Sequence, residues 1–92
     1  MQFEWHEPKS QECLELRKFD FNEAARIFKD ENLKVEIDGR KDYGETRHRA
    51  FGKIDEKKFC VVFTMRDNKI RIISARRVRE NSKEARKYYE NS

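Results

Sequence analysis

Arg47, Arg49, Arg71, Arg76, Arg77 and Arg79 crowd the second half of this chain, among groups able to move a proton: Tyr43, Glu45, His48, Tyr88 and Tyr89. A guanidinium stays cationic, and its planar fork matches phosphate oxygens. Carboxylate, imidazole and phenol can take or return protons. These types suit one reaction that asks little else of a protein. In metal-free RNA cleavage the ribose 2′-hydroxyl is the nucleophile; the protein holds the strand, moves a proton and stabilises charge on the phosphate. Arg47, Arg71 and Arg76 are candidates for phosphate binding or transition-state charge, Glu45 or His48 for the base, and a C-terminal tyrosine for support. Tyr43, Arg49, Arg77, Arg79, Tyr88 and Tyr89 are candidates for holding RNA.

Each has a plainer reading. His48 can be a strand-packing residue, Tyr88 and Tyr89 core anchors of a terminal helix, and Glu45 an offset to Arg47. The Arg76, Arg77, Arg79 run can be a solvated or partner-binding surface. Other chemistries find less support. His6 and His48 are the only histidines, Cys13 and Cys60 lie far apart, and no metal-ligand spacing recurs. Three glycines cannot build a phosphate-cradling loop. We expect no metal and no cofactor.

Ninety-two residues allow one domain, 1–92, with a thin core. Charged residues make up 43%, yet the signs nearly balance and 12% aromatics can supply a folded interior. The net charge of +4 is unevenly spread: residues 1–45 hold 8 basic and 12 acidic side chains, residues 46–92 hold 14 and 6. A polyanion-facing surface built by the second half would follow. Two cysteines without a disulfide framework, no leader sequence and no run long enough to span a bilayer predict a cytoplasmic protein without membrane contact.

These residues need a scaffold. Residues 59–79 read as a β-hairpin around Asp67-Asn68, two residues that tolerate positive φ. That turn sets Phe63 opposite Ile72, Val62 opposite Ile73, Val61 opposite Ser74 and Cys60 opposite Ala75. Both faces are apolar, which places the hairpin at the centre of a sheet. Before it, Phe3-Glu4-Trp5 forms a short strand. Lys9 to Lys18 forms a helix with Cys13, Leu16 and Leu14 inward, and a capping box at Asp20 and Glu23 opens a second helix burying Phe21, Ala24, Ala25 and Phe28. Strict alternation in Leu33–Ile37 predicts a strand with one face buried, and residues 46–54 a poorer strand. Asn81 and Glu84 cap a short last helix. The fold class is α+β, a mainly antiparallel sheet with helices on one side.

In this order and spacing, Phe3-Glu4-Trp5, Phe21-Asn22-Glu23-Ala24, Asp42-Tyr43-Gly44-Glu45 followed by Arg47, Ile70 to Arg76, and Tyr88-Tyr89-Glu90 resemble the BrnT family of type II toxin–antitoxin toxins. The resemblance implies a RelE-like fold with two N-terminal helices and a short C-terminal one. It further implies a metal-independent endoribonuclease that inhibits translation, a BrnA-like ribbon-helix-helix antitoxin as partner, and a heterotetramer of the two. It marks Tyr43, Glu45, Arg47, Arg71, Ser74 and Arg76 as motif positions, with Ser74 joining the candidates for holding RNA. The chain departs from the family at His6, at Cys13 and at Arg17-Lys18, where aspartate, asparagine and His-Gly are usual. A non-catalytic module that docks nucleic acid or an acidic protein segment is the alternative.

Overall fold

The computed structural model describes residues 1–40 and 44–89. Strand β1 (Phe3–Trp5) leads into α1 (Glu7–Arg17) and α2 (Phe21–Ala24), which continues as a 3₁₀ helix over Ala25–Lys29. Strands β2 (Lys34–Ile37), β3 (His48–Ile54), β4 (Lys57–Arg66) and β5 (Lys69–Arg77) follow, and α3 (Lys83–Tyr88) closes the described chain. The α+β class and the element order agree with the sequence. The five strands run in the order β1-β5-β4-β3-β2 in a mixed sheet, with β1 parallel to β5 and the other pairings antiparallel.

The hairpin sits at the centre, as its two apolar faces require. Asp67 and Asn68 both have positive φ (52° and 64°), the signature of a two-residue turn whose twist matches its strands. Asp55 and Glu56 repeat that geometry between β3 and β4. The predicted register holds near the turn, with Phe63 opposite Ile72, and then slips. A bulge at Ile73 sets Val62 opposite Ser74, Val61 opposite Ala75 and Cys60 opposite Arg76. A bulge adds one residue to one strand and leaves it outside the ladder, so turn chemistry alone could not carry the register past it.

Helices cover both faces of the sheet rather than one. Alternation along β3 and β4 sends Ala50, Ile54, Phe59, Val61 and Phe63 toward α1, α2 and the 3₁₀ helix, where they meet Phe19, Phe21 and Ile27. Phe51 and Cys60 point the other way, into a smaller cluster with Val78, Ala85, Tyr88 and Tyr89. The C-terminal helix therefore has a core of its own. Its cap is Ser82, whose hydroxyl accepts the Ala85 N–H at 3.1 Å, in place of Asn81. Asp20 caps α2 as predicted, accepting the Glu23 N–H at 2.8 Å. The 3₁₀ winding that follows adds Ile27, three residues after Ala24, to the buried face.

Two amphipathic readings are corrected. Leu16 is 72% exposed and Leu14 40%; α1 buries Ser10 and Cys13 instead. Ser10 accepts the Phe21 N–H at 3.0 Å and ties α1 to α2. Strand β2 is reversed as well, with Val35 and Ile37 exposed and Lys34 and Glu36 half-buried. Alternation shows that a strand has two faces; it does not show which one the fold covers.

Candidate active site

Strand β1 is short and pairs only with Ile70, Arg71 and Ile72 of β5. Past Ile72 the outer edge of β5 meets α1, and the Cys13 thiol donates to the Ala75 carbonyl at 3.7 Å. The bulge lies where strand partner gives way to helix. Around it opens a cleft of about 330 Å³ whose walls include Lys9, Glu12 and Arg17 of α1, Arg47, and the bulged run Ile73, Ser74 and Ala75. A second cleft of about 180 Å³ shares Lys9, Arg47 and Ile73 with the first and adds His6, Glu45, Thr64, Arg66 and Arg71. Together they form a mainly cationic channel with two carboxylates, Glu12 on the α1 wall of the first cleft and Glu45 in the second.

Backbone bonds hold Arg47 in place. Its carbonyl accepts the Asp38 N–H at 2.7 Å, and the preceding Thr46 carbonyl accepts the buried Thr64 hydroxyl at 2.7 Å. Asp38 is itself buried and grips Arg40 through Nε at 2.7 Å and Nη2 at 2.8 Å. These hydrogen bonds hold its carboxyl at a pKa of about 2, below the ordinary 3.8. Asp38 and Arg47 are thus tied together at one end of the β2–β3 pairing.

The arginines differ in how firmly they are held. Arg71 donates from Nη1 to Glu4 at 2.7 Å across the parallel ladder. Arg47 Nε lies 3.3 Å from Glu45, whose other oxygen is 3.7 Å from Arg66. Charge-assisted bonds are commonly 2.7–2.9 Å, so the contacts of Glu45 are loose and its carboxylate can turn to another donor. Arg76 makes a two-pronged pair with Glu84 at 2.9 and 2.7 Å, which fastens α3 to β5 and lowers the Glu84 pKa. Arg49 pairs with Glu36 and lies 5.5 Å from the centre of the Phe51 ring.

The structure gathers Glu45, Arg47, Arg71 and Ser74 along the channel and sets the other candidates apart. His48 faces the opposite side of the sheet, stacked on Phe63 at 5.2 Å, and its Nδ1 is buried without a hydrogen bond. Arg77 lies on that side too, over the Phe59 ring at 5.3 Å. Arg79 is exposed beyond β5. Tyr88 stacks on Phe51 at 3.7 Å, and burial together with a hydrogen bond to Glu36 raises its pKa. Tyr89 donates to the Phe59 carbonyl at 2.6 Å, and burial pushes its phenol well above the ordinary range. Tyr43 lies outside the described residues. His6 and Lys9, which the sequence did not single out for the site, line the channel because β1 pairs in parallel with β5. No local pattern announces such a long-range pairing.

Among the described residues no three His, Cys, Asp or Glu side chains converge as a metal site, and no helix is long and apolar enough to cross a membrane. A search of curated proteins finds no match. Residues 5–82 match a family model described as the ribonuclease toxin, BrnT, of a type II toxin–antitoxin system.

Proposed function

The chain belongs to the BrnT family of type II toxin–antitoxin ribonuclease toxins, and from that premise we propose that the channel beside Ile73 is where RNA is bound and cut without a metal. The observation that carries this reading is the convergence of Glu45, Arg47, Arg71, His6 and Lys9 on one cleft. Glu45 takes the proton of the ribose 2′-hydroxyl, whose oxygen attacks the adjacent phosphorus. As that bond forms, the bond from phosphorus to the 5′-oxygen breaks. His6 gives a proton to the departing oxygen, leaving a 2′,3′-cyclic phosphate and a 5′-hydroxyl.

Arg47 and Arg71 stabilise the charge that builds on the phosphate. A guanidinium has five N–H donors, and the Glu4 contact engages Arg71 through Nη1, so Arg71 can be oriented by Glu4 and still meet a phosphate. Lys9, Arg17, Arg66 and Ser74 follow the flanking strand. Arg49 and Arg76 fasten β2 and α3 through their pairs with Glu36 and Glu84. Cleavage of this kind in the cytoplasm inhibits translation, on a RelE-like scaffold. The cognate antitoxin is a BrnA-like ribbon-helix-helix protein that blocks the channel in a heterotetramer.

The test is incubation of the purified chain with end-labelled RNA in excess chelator. Cyclic-phosphate ends, lost when the nucleotide at the cut carries 2′-deoxyribose, support the reading. Salt-sensitive binding with intact RNA would establish the non-catalytic module instead.

A further inference from the structure

Strand β2 ends the sheet on the side away from β1 and α1, and it carries its apolar residues outward. Val35 is 48% exposed and Ile37 68%, while Lys34 and Glu36 are half-buried on the α3 side. The Asp38 N–H bonds to the Arg47 carbonyl. By the two-residue period of an antiparallel ladder, Lys34 and Glu36 bond to β3, and the N–H and C=O groups of Val35 and Ile37 point away from the sheet. An open edge is a template for another strand, and proteins usually blunt it with proline, inward charge or a cover. Here the described residues offer apolar side chains at an open edge.

We propose that this edge pairs with a second copy of the chain, β2 against β2, antiparallel about a two-fold axis through Val35. The register places Val35 opposite Val35 of the partner subunit, Lys34 opposite the partner's Glu36 and Leu33 opposite the partner's Ile37. On one face Leu33, Val35 and Ile37 meet the same three residues in reverse order, forming one apolar stripe across both copies. On the other face each lysine lies against a carboxylate. The outward backbone groups fit the same axis: each Val35 N–H meets the other Val35 carbonyl, and each Ile37 N–H meets a Leu33 carbonyl. The Leu33 N–H is already bound to the Asp30 carbonyl and is not called on.

Neighbouring registers lack this match. An axis through Glu36 sets two carboxylates face to face, and one through Ile37 sets Glu36 against Asp38; like charges directly opposite are destabilising. The five residues from Leu33 to Ile37 are self-complementary in hydrophobicity and charge about one centre, and in backbone bonding at all but the Ile37 carbonyl, as an isologous interface demands. The pairing uses none of the residues that line the channel, although the channel's Arg47 bonds to Asp38, one residue past Ile37.

Sedimentation equilibrium of the purified chain tests this. The expected mass falls from twice 11.3 kDa to 11.3 kDa on dilution. Lys34→Glu sets carboxylates opposite each other and should weaken the dimer at least tenfold. Val35→Pro deletes an outward N–H without touching the β3 ladder and should abolish it, circular dichroism confirming the fold of each variant. Hydrogen exchange on the unaltered chain gives a second readout, since the Val35 and Ile37 amides should slow as concentration rises. A mass of 11.3 kDa at every concentration, a dimer indifferent to both substitutions, or exchange independent of concentration would each overturn the proposal. So would a monomer whose antitoxin complex these substitutions weaken, since the edge would then belong to an antitoxin strand.

Discussion

Nη1 of Arg71 lies 2.7 Å from a carboxylate oxygen of Glu4, so a cation of the channel is oriented by a residue from the far end of the chain. The contact crosses the β1–β5 ladder, where Glu4 and Arg71 are direct partners. Lysine has one compact ammonium and cannot hold Glu4 and a phosphate in the same forked geometry. Arg71→Ala should slow RNA cleavage by about 10²–10³, the range for losing one preorganised transition-state donor. Arg71→Lys should still lose at least about tenfold. Single-turnover cleavage rates at saturating enzyme check both, and unchanged rates in folded variants remove Arg71 from the chemistry.

Lys18 has φ 69° and ψ 22° at the C-terminal end of α1, a left-handed position that glycine fills without strain. This is one of the positions at which the sequence resemblance expects glycine, and the backbone geometry is one that glycine suits. The Lys18 ammonium reaches the Glu15 carbonyl at 3.1 Å, an exposed contact that offsets little. Lys18→Gly should stabilise the fold by about 1 kcal/mol. A urea unfolding midpoint that stays put or falls would show that the turn after α1 bears no such strain.

Acid should loosen the segment that presents Arg47. The Asp38 carboxyl has a folded pKa of about 2 against an ordinary 3.8, chiefly through its hydrogen bonds to Arg40. A depressed folded pKa means that the stabilisation is complete above the unfolded value and is lost as pH falls from about 4 through about 2. Hydrogen bonds from Tyr88 to Glu36 and from Arg76 to Glu84 lower those pKa values too and add to the same slope. Asp38→Asn should lower stability at neutral pH and flatten its decline below about pH 4. Thermal midpoints from pH 7 to pH 2 report the difference; parallel curves for the two proteins would refute the assignment.

What the sequence could show was local. The Asp67-Asn68 turn, the Asp20 cap and the central place of the hairpin follow from short-range chemistry, and the structure has all of them. The Ile73 bulge, the β1–β5 pairing and the packing of α3 on the second face depend on contacts distant in sequence. Those features decide the site. The parallel pairing brings His6 to the channel and Glu4 to Arg71, and the bulge sets Ile73, Ser74 and Ala75 along the cleft beside α1. Leu16, Val35 and Ile37 misled for a related reason: amphipathic spacing names a face, and tertiary packing chooses whether to bury it.

Tyr89 offers a test of core against chemistry. Its hydroxyl donates to the Phe59 carbonyl at 2.6 Å and reaches the Gly52 carbonyl at 3.3 Å, deep under α3. Tyr89→Phe removes that donor from buried carbonyls and should cost about 1–3 kcal/mol of stability. Below the unfolding transition its cleavage rate should match that of the unaltered chain. A rate loss without a stability loss would place the phenol in the reaction.

Glu45 and His48 lie three residues apart but are delivered to opposite sides of the sheet, which separates two candidates for the base that the sequence left level. Glu45 borders the channel between Arg47 and Arg66, and His48 stacks on Phe63 beneath the N-terminal helices. Glu45→Gln keeps the shape of the side chain but cannot accept a proton, so cleavage should fall by about 10²–10⁴ with RNA affinity retained. His48→Gln should leave the rate and its pH profile unchanged while lowering stability through the lost stacking. If instead the histidine variant loses the activity and the glutamate variant keeps it, proton transfer occurs beside Phe63 and the channel beside Ile73 only holds the strand.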